Sequence, residues 1–168
     1  GMTLHGYSHS TLIHDFNEDG WPDIYIANDY QSDDLIYINN ADGSFTNKVS
    51  TMFRHQSSAA MGSDLGDINN DGKAEVMTVE MLPFTNLRKK TLIGPANYSS
   101  YIYVKQYGYQ YQYTRNTLQL NQGMKNGYPV YGDISFLSGV HETEWSWAPL
   151  FVDIDLDSYQ DLYITNGF

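Results

Sequence analysis

Apolar and polar positions alternate over short stretches along most of the chain, the period-two pattern of half-buried strands. DIYIAN, EVMTVE and DLYITN are rich in β-branched and aromatic residues, which favour extended backbone. A short apolar segment precedes each of them, and a polar loop lies between. Each pair therefore predicts a hairpin. After the first hairpin, DDLIYINN and GSFTNKV predict two more strands, with Ala41, Asp42, Gly43 and Ser44 forming the turn. NTLQLNQG and GDISFLSGV predict a similar end to the second unit, with Ile36/Leu118, Ile38/Leu120, Asn39/Asn121 and Phe45/Phe136 as counterparts. Between them the period changes. Tyr98, Tyr101, Ile102 and Lys105 share one helical face, Pro95 after Gly94 suits a first helical turn, and Gly108 suits a C-terminal stop. Tyr109, Tyr111 and Tyr113 then alternate with Gln110 and Gln112, so an extended segment should follow one helix.

The three polar loops read DFNEDGWPD (15–23), DINNDGKAE (67–75) and DIDLDSYQD (153–161). Each has oxygen-bearing side chains at positions 1, 3 and 5 and an acid at position 9. Ca²⁺ is a hard cation that takes about six to eight oxygens, and alternate residues of a tight loop can converge on one centre. The pattern assigns Asp15, Asn17, Asp19, the carbonyl of Trp21 and Asp23 to the first site. Asp67, Asn69, Asp71, the carbonyl of Lys73 and Glu75 form the second. Asp153, Asp155, Asp157, the carbonyl of Tyr159 and Asp161 form the third. Up to three Ca²⁺ are expected. Gly20 and Gly72 stand at position 6, where the chain turns sharply, and Ser158 replaces them in the third loop. An EF-hand would close with Glu at position 12. Here that position is Ile26, Thr78 or Ile164, so the ninth residue must close the site.

The net charge is −11, and ten of the twenty acids are these loop carboxylates. Three divalent cations would add six positive charges, bringing the formal charge to about −5. Such a surface argues against nucleic acid and against anionic membranes. The chain has no cysteine, which excludes thiolate metal sites and disulfides. No apolar run approaches a membrane span, so membrane insertion is not expected. Calcium loops of modest affinity suit a compartment with about millimolar calcium, outside the cell or in the cell envelope.

Aligning the loops exposes a longer repeat. The units read YSHSTLIHDFNEDGWPDIYIANDY, AAMGSDLGDINNDGKAEVMTVEML and WSWAPLFVDIDLDSYQDLYITNGF. Loop starts lie 52 and then 86 residues apart, and an insertion over 82–115 accounts for the difference. DFNEDGWPD and DINNDGKAE resemble the FG-GAP/VCBS repeats of β-propeller proteins. The run with TVEMLP, LIGPANY, TRNTLQLNQG and the third unit resembles bacterial VCBS-repeat proteins that carry an ASPIC/UnbV domain. That resemblance implies an envelope or secreted propeller, with calcium at the loop positions. The integrin-type "GAP" after the exit strand is replaced by Ala27-Asn28-Asp29 and Thr165-Asn166-Gly167, so integrin-like partner recognition does not carry over.

Other chemistries fit less well. LFVDIDLDS matches the start of haloacid-dehalogenase phosphatases, with Asp153 as nucleophile and Asp155 as acid, but no lysine follows and the segment repeats upstream with other residues. Glycosidase chemistry needs one protonated carboxyl, whereas acids around a cation are held ionised. His5, His9, His14, His55 and His141 show no spaced ligand pair; His9 and His14 read as ordinary strand residues. Nine of the fifteen tyrosines fall between Tyr98 and Tyr131. They suit either a carbohydrate platform or packing of the insertion onto the blades, and packing is favoured. Trp145 and Trp147 read as packing residues, and Trp21, which follows a loop glycine, is one candidate for an exposed contact.

The sequence thus predicts an all-β partial β-propeller of about two and a half four-stranded blades with an inserted helix-containing segment. Blade one spans about 7–50, blade two about 58–140, and the first half of blade three about 145–168. The expected function is a calcium-binding, non-catalytic repeat module of the cell exterior or envelope that binds glycan or envelope protein. The alternative is a scaffold within a larger secreted polysaccharide-processing enzyme whose chemistry lies elsewhere. Open strand edges favour self-association.

Overall fold

The computed structural model describes residues 6–30, 32–92 and 98–167. It is a partial propeller built from several small sheets. β1 (Tyr7–His14), β2 (Asp23–Asp29), β3 (Leu35–Asn39) and β4 (Phe45–Asn47) form an antiparallel sheet in sequence order. A short helix α1 (Val49–Met52) and strand β5 (His55–Ser57) lead to the second unit. There β6 (Gly62–Gly66) and β7 (Glu75–Val79) form the hairpin, and β8 (Met81–Leu82) continues towards the third unit. The insertion holds α2 (Asn86–Thr91), α3 (Tyr98–Tyr103) and β9 (Tyr111–Tyr113). The chain then returns with β10 (Thr117–Lys125) and β11 (Tyr128–Asp133), giving a sheet of order β11-β10-β7-β6. β12 (Glu144–Val152) and β13 (Asp161–Asn166) make the third hairpin, with β8 against the start of β12.

The first strands β1, β6 and β12 pack side by side, as the inner strands of consecutive blades do. Ser10 and Ser63 hydroxyls meet at 2.7 Å across the first pair of blades. Gly62 lies against the β12 backbone so closely that a Cβ there would sit 2.4 Å from the Trp147 carbonyl oxygen. The repeat extends to fine detail: β1 is bulged between Ser8 and Ser10, and β12 between Ser146 and Ala148, the same places relative to their loops.

Two apolar cores lie between successive sheets. Tyr25, Ile36, Ile38, Phe53, Val76 and Tyr131 belong to one, and Met61, Met77, Val79, Leu118 and Phe151 to the other. Neighbouring residues Val76 and Met77 thus serve opposite cores, and all of β7 is buried. A strand covered on both faces need not show strict alternation, which is why EVMTVE reads as a nearly continuous apolar run. Phe53 links the first core, its ring edge-to-face with Tyr131 at 4.9 Å and close to Tyr25 at 5.9 Å.

Two buried carboxylates bind the units together. Asp34 accepts from Tyr25 Oη at 2.7 Å and from the Asn28 N–H at 2.9 Å. Glu80 accepts from the hydroxyls of Ser57 and Ser58 and from the Ala59 and Met81 N–H groups. Burial pushes both acids up to about 7, against the pull of these donors.

Several expectations change. The fourth strand of the second sheet is YPVYGD (128–133); GDISFLSGV mostly forms the turn after it, and Phe136 is exposed. By register Asn39 faces Phe45 while Asn121 faces Tyr131, so Tyr131 is the counterpart of Phe45. The pairings Tyr25–Ile36 and Met77–Leu118 agree with the sequence alignment of Ile36 and Leu118. The insertion has two described helices where one was expected. Thr85 caps the first by accepting from the Arg88 N–H. α2 buries none of its residues and so shows no apolar stripe in the sequence. The proposed helix start at Gly94 and Pro95 lies outside the described residues. Gly108 does stop the second helical segment, at φ +85°, with Tyr109 N bonded to Val104 O and Gly108 N to Lys105 O. The extended segment after it is β9, parallel to β5.

Two outcomes follow from this packing. Gly62→Ala should lower stability by about 1–3 kcal/mol, measured by urea unfolding, because the β12 backbone has nowhere to retreat. In chelator, stability should fall as pH rises from about 5 to about 8. An unfolded carboxyl titrates near 4, and one raised to about 7 in the fold adds stability below that range that is lost through it. A Glu80→Gln variant should be less stable at pH 5 and show a flatter decline.

Candidate metal centre

Each loop is closed by the same set of bonds. The first carboxylate accepts from the N–H groups of positions 5 and 6: Asp15 from Asp19 and Gly20, Asp67 from Asp71 and Gly72, and Asp153 from Asp157 and Ser158, all at 2.7–3.1 Å. The fifth side chain accepts from the seventh N–H: Asp19 from Trp21, Asp71 from Lys73, and Asp157 from Tyr159. The ninth accepts from the second N–H: Asp23 from Phe16, Glu75 from Ile68, and Asp161 from Ile154, at 2.9–3.0 Å. The ninth acid thus ties the end of every loop back to its second residue.

Backbone conformation repeats as well. Position 6 is left-handed in all three loops, at Gly20, Gly72 and Ser158. Position 4 is left-handed too, at Glu18, Asn70 and Leu156, with φ near +60°. Sequence gave no sign of this second turn, because Glu and Leu are unusual there. Ser158 and Leu156 make the third loop the most strained of the three.

The loops differ in what their oxygens do. In the third, carboxylate oxygens of Asp153, Asp155 and Asp161 converge within 4.8 Å of one another. Asp157, assigned to the same site, is outside that group. In the first, Asn17 Oδ1 is buried and has no hydrogen-bond partner, although its Nδ2 donates to Asp19. A buried acceptor without a donor is costly, and a cation held at that oxygen would satisfy it. In the second, Asn69 Oδ1 accepts from the Asp71 N–H and the Lys73 ammonium pairs with Asp71 at 3.0 Å. The donor set of all three, oxygen throughout, fits a hard divalent cation.

The two complete sheets place the ninth acid differently from the third hairpin. Asp23 and Glu75 are fully buried. Their remaining oxygens accept the N–H of Asn39 at 2.8 Å and of Asn121 at 3.3 Å, so each carboxylate ties its loop to the third strand of its sheet. Burial, then the nearby loop acids, raises both above the usual carboxylate range, while the backbone donors pull the other way. Asp161 is exposed.

All three loops lie on one rim. The first two flank an open cleft of about 390 Å³ lined by Asp15, Phe16, Glu18, Lys73, Ala74 and Tyr131. Asn70 Nδ2 bridges the second and third by donating to the Ser158 carbonyl at 3.0 Å.

Away from the rim the structure assembles a cluster that residue spacing did not reveal. His55 Nε2 lies 2.9 Å from Asp133 Oδ2, and Arg115 donates to the same carboxylate and to Ser135 Oγ at 2.8 Å. Burial opposes ionisation of Asp133, but donors from His55, the Ser135 backbone and Arg115 hold it well below the usual range. His55 and Asp133 are 78 residues apart, so only the fold joins them. The insertion's tyrosines are mostly exposed: Tyr98, Tyr101, Tyr103, Tyr107, Tyr109 and Tyr111 face solvent, against the expectation of packing. Trp21 is exposed. Trp147 is exposed as well, although packing was expected, because no further sheet covers that face of β12 among the described residues.

Since Ser158 bears a Cβ at φ +74°, Ser158→Gly should raise stability by about 1 kcal/mol, read from chemical unfolding in chelator.

Among the described residues no helix is long and apolar enough to cross a membrane. No curated protein matches the chain. Residues 15–78, which span the first two loops and the strands between them, match the family model of the FG-GAP-like repeat.

Proposed function

We propose that this chain is a calcium-stapled, non-catalytic repeat module that works outside the cell or in its envelope and binds glycan or protein. The observation that carries the calcium reading is the threefold loop geometry: identical closures, a buried Asn17 oxygen without a donor, and three converging carboxylates at Asp153, Asp155 and Asp161. A cation in each loop would neutralise acids that otherwise repel one another. It would also brace the hairpin that Asp23 or Glu75 ties to the next strand. The exposed tyrosines around α3 and β9 offer aromatic faces beside a sheet, a surface suited to sugars or to a protein partner. The His55–Asp133–Arg115 cluster supports the non-catalytic reading, since every oxygen of Asp133 is engaged in holding β10, β11 and the turn after them.

Thermal unfolding in chelator, followed by a calcium titration with magnesium as control, tests the central claim. Three sites at about ten times Kd would add roughly 4 kcal/mol together, a rise in Tm of about 10 °C for a chain of this size. No calcium-selective rise would overturn it.

A further inference from the structure

The three loops share their backbone closures but not their charge. The first carries Asp15, Glu18, Asp19 and Asp23 and no basic residue, a formal charge of −4. The third carries Asp153, Asp155, Asp157 and Asp161, again −4. The second carries Asp67, Asp71 and Glu75 together with Lys73, which leaves −2. Ligand charge is one of the quantities that set the calcium affinity of an oxygen-lined loop.

The lysine also stands where it competes. It is the seventh residue of its loop, the place of Trp21 and Tyr159 in the other two. Its ammonium donates to Asp71 Oδ2 at 3.0 Å and its N–H to Asp71 Oδ1 at 3.0 Å, so one residue engages both oxygens of the fifth-position carboxylate. In the first loop the corresponding Asp19 accepts only from uncharged groups, the Trp21 N–H and the Asn17 amide. In the third, Asp157 accepts from the Tyr159 N–H, and the ring beyond it brings no charge. The Lys73 and Asp71 side chains are each about a third exposed. Lys73 can therefore leave the carboxylate, but its charge stays beside the loop when it does.

We propose that Lys73 sets the calcium affinity of the second loop, making it the weakest of the three and the last to fill as calcium rises. The inference rests on the calcium reading above and adds an order to it. A divalent cation here must displace the ammonium from Asp71 Oδ2 and then tolerate a positive charge close by. One unit charge near a divalent ion in a hydrated loop is worth about tenfold in affinity, and added salt should lessen the effect by screening it. The order has a structural consequence. Glu75 of the second loop reaches the Asn121 N–H at 3.3 Å, whereas Asp23 of the first reaches the Asn39 N–H at 2.8 Å. The attachment of β10 is thus tied to the last loop to fill, and the second sheet tightens over a higher range of calcium than the first.

Amide NMR of the whole chain, titrated with calcium alone, reads the loops separately, because the N–H groups of Gly20, Gly72 and Ser158 each donate to the first carboxylate of their own loop. Gly20 and Ser158 should reach their midpoints at about tenfold lower calcium than Gly72, with Asn121 following Gly72. Lys73→Gln should lower the Gly72 midpoint about tenfold and leave those of Gly20 and Ser158 in place. Lys73→Arg, which keeps the charge, should leave all three near their parent values. A Gly72 midpoint at or below the other two would overturn the inference while calcium binding itself stood, as would a midpoint that Lys73→Gln does not move. Shifts at no loop would instead overturn the calcium reading, and this inference with it.

Discussion

A buried carboxylate at the end of each loop holds the complete sheets together. Asp23 and Glu75 each accept one N–H from within their own loop and one from the third strand of their sheet. Hydrogen bonds to charged groups contribute roughly 1.5–3 kcal/mol each, and leaving such a group unpaired costs more. The loop therefore cannot open without releasing the third strand, and that strand cannot leave without stranding a buried charge. Loop and sheet form one cooperative unit. The third hairpin shows the same loop without this coupling, because among the described residues Asp161 has only its loop partner.

The sheets meet through a different kind of contact. Tyr25 places its ring in the first core and its hydroxyl between Asp34 and Thr78, so it joins the first sheet to the second by both apolar and polar means. Glu80 gathers the Ser57–Ala59 segment beneath the end of the second hairpin. These acids are fully satisfied by donors yet shielded from water, which raises their proton affinity. The core acids thus tie the packing of the sheets to proton concentration.

The insertion is anchored without being a sheet of its own. β9 lies parallel to β5, Asp33 accepts from the Gln110 N–H and the Gln112 side chain, and ion pairs from Arg88 and Lys89 reach Glu144 and Glu142. Its tyrosines are consequently free to face outward.

The sequence by itself determined the units, the hairpins, the loop closures and the position-6 turn. All of these are local: oxygens at alternate positions and a residue tolerant of left-handed backbone fall within nine residues. It also carried the match of Ile36 with Leu118 and of Asn39 with Asn121, because strand alternation keeps register. Four features were decided only by tertiary structure. Tyr131 replaces Phe136 as the residue facing Asn121, since register depends on where a distant turn falls. His55, Arg115 and Asp133 meet although no spacing links them. β9 pairs in parallel across more than fifty residues. The exposure of Tyr163, Trp147 and the insertion's tyrosines depends on which faces neighbouring elements cover, and a residue's own identity does not encode its neighbours.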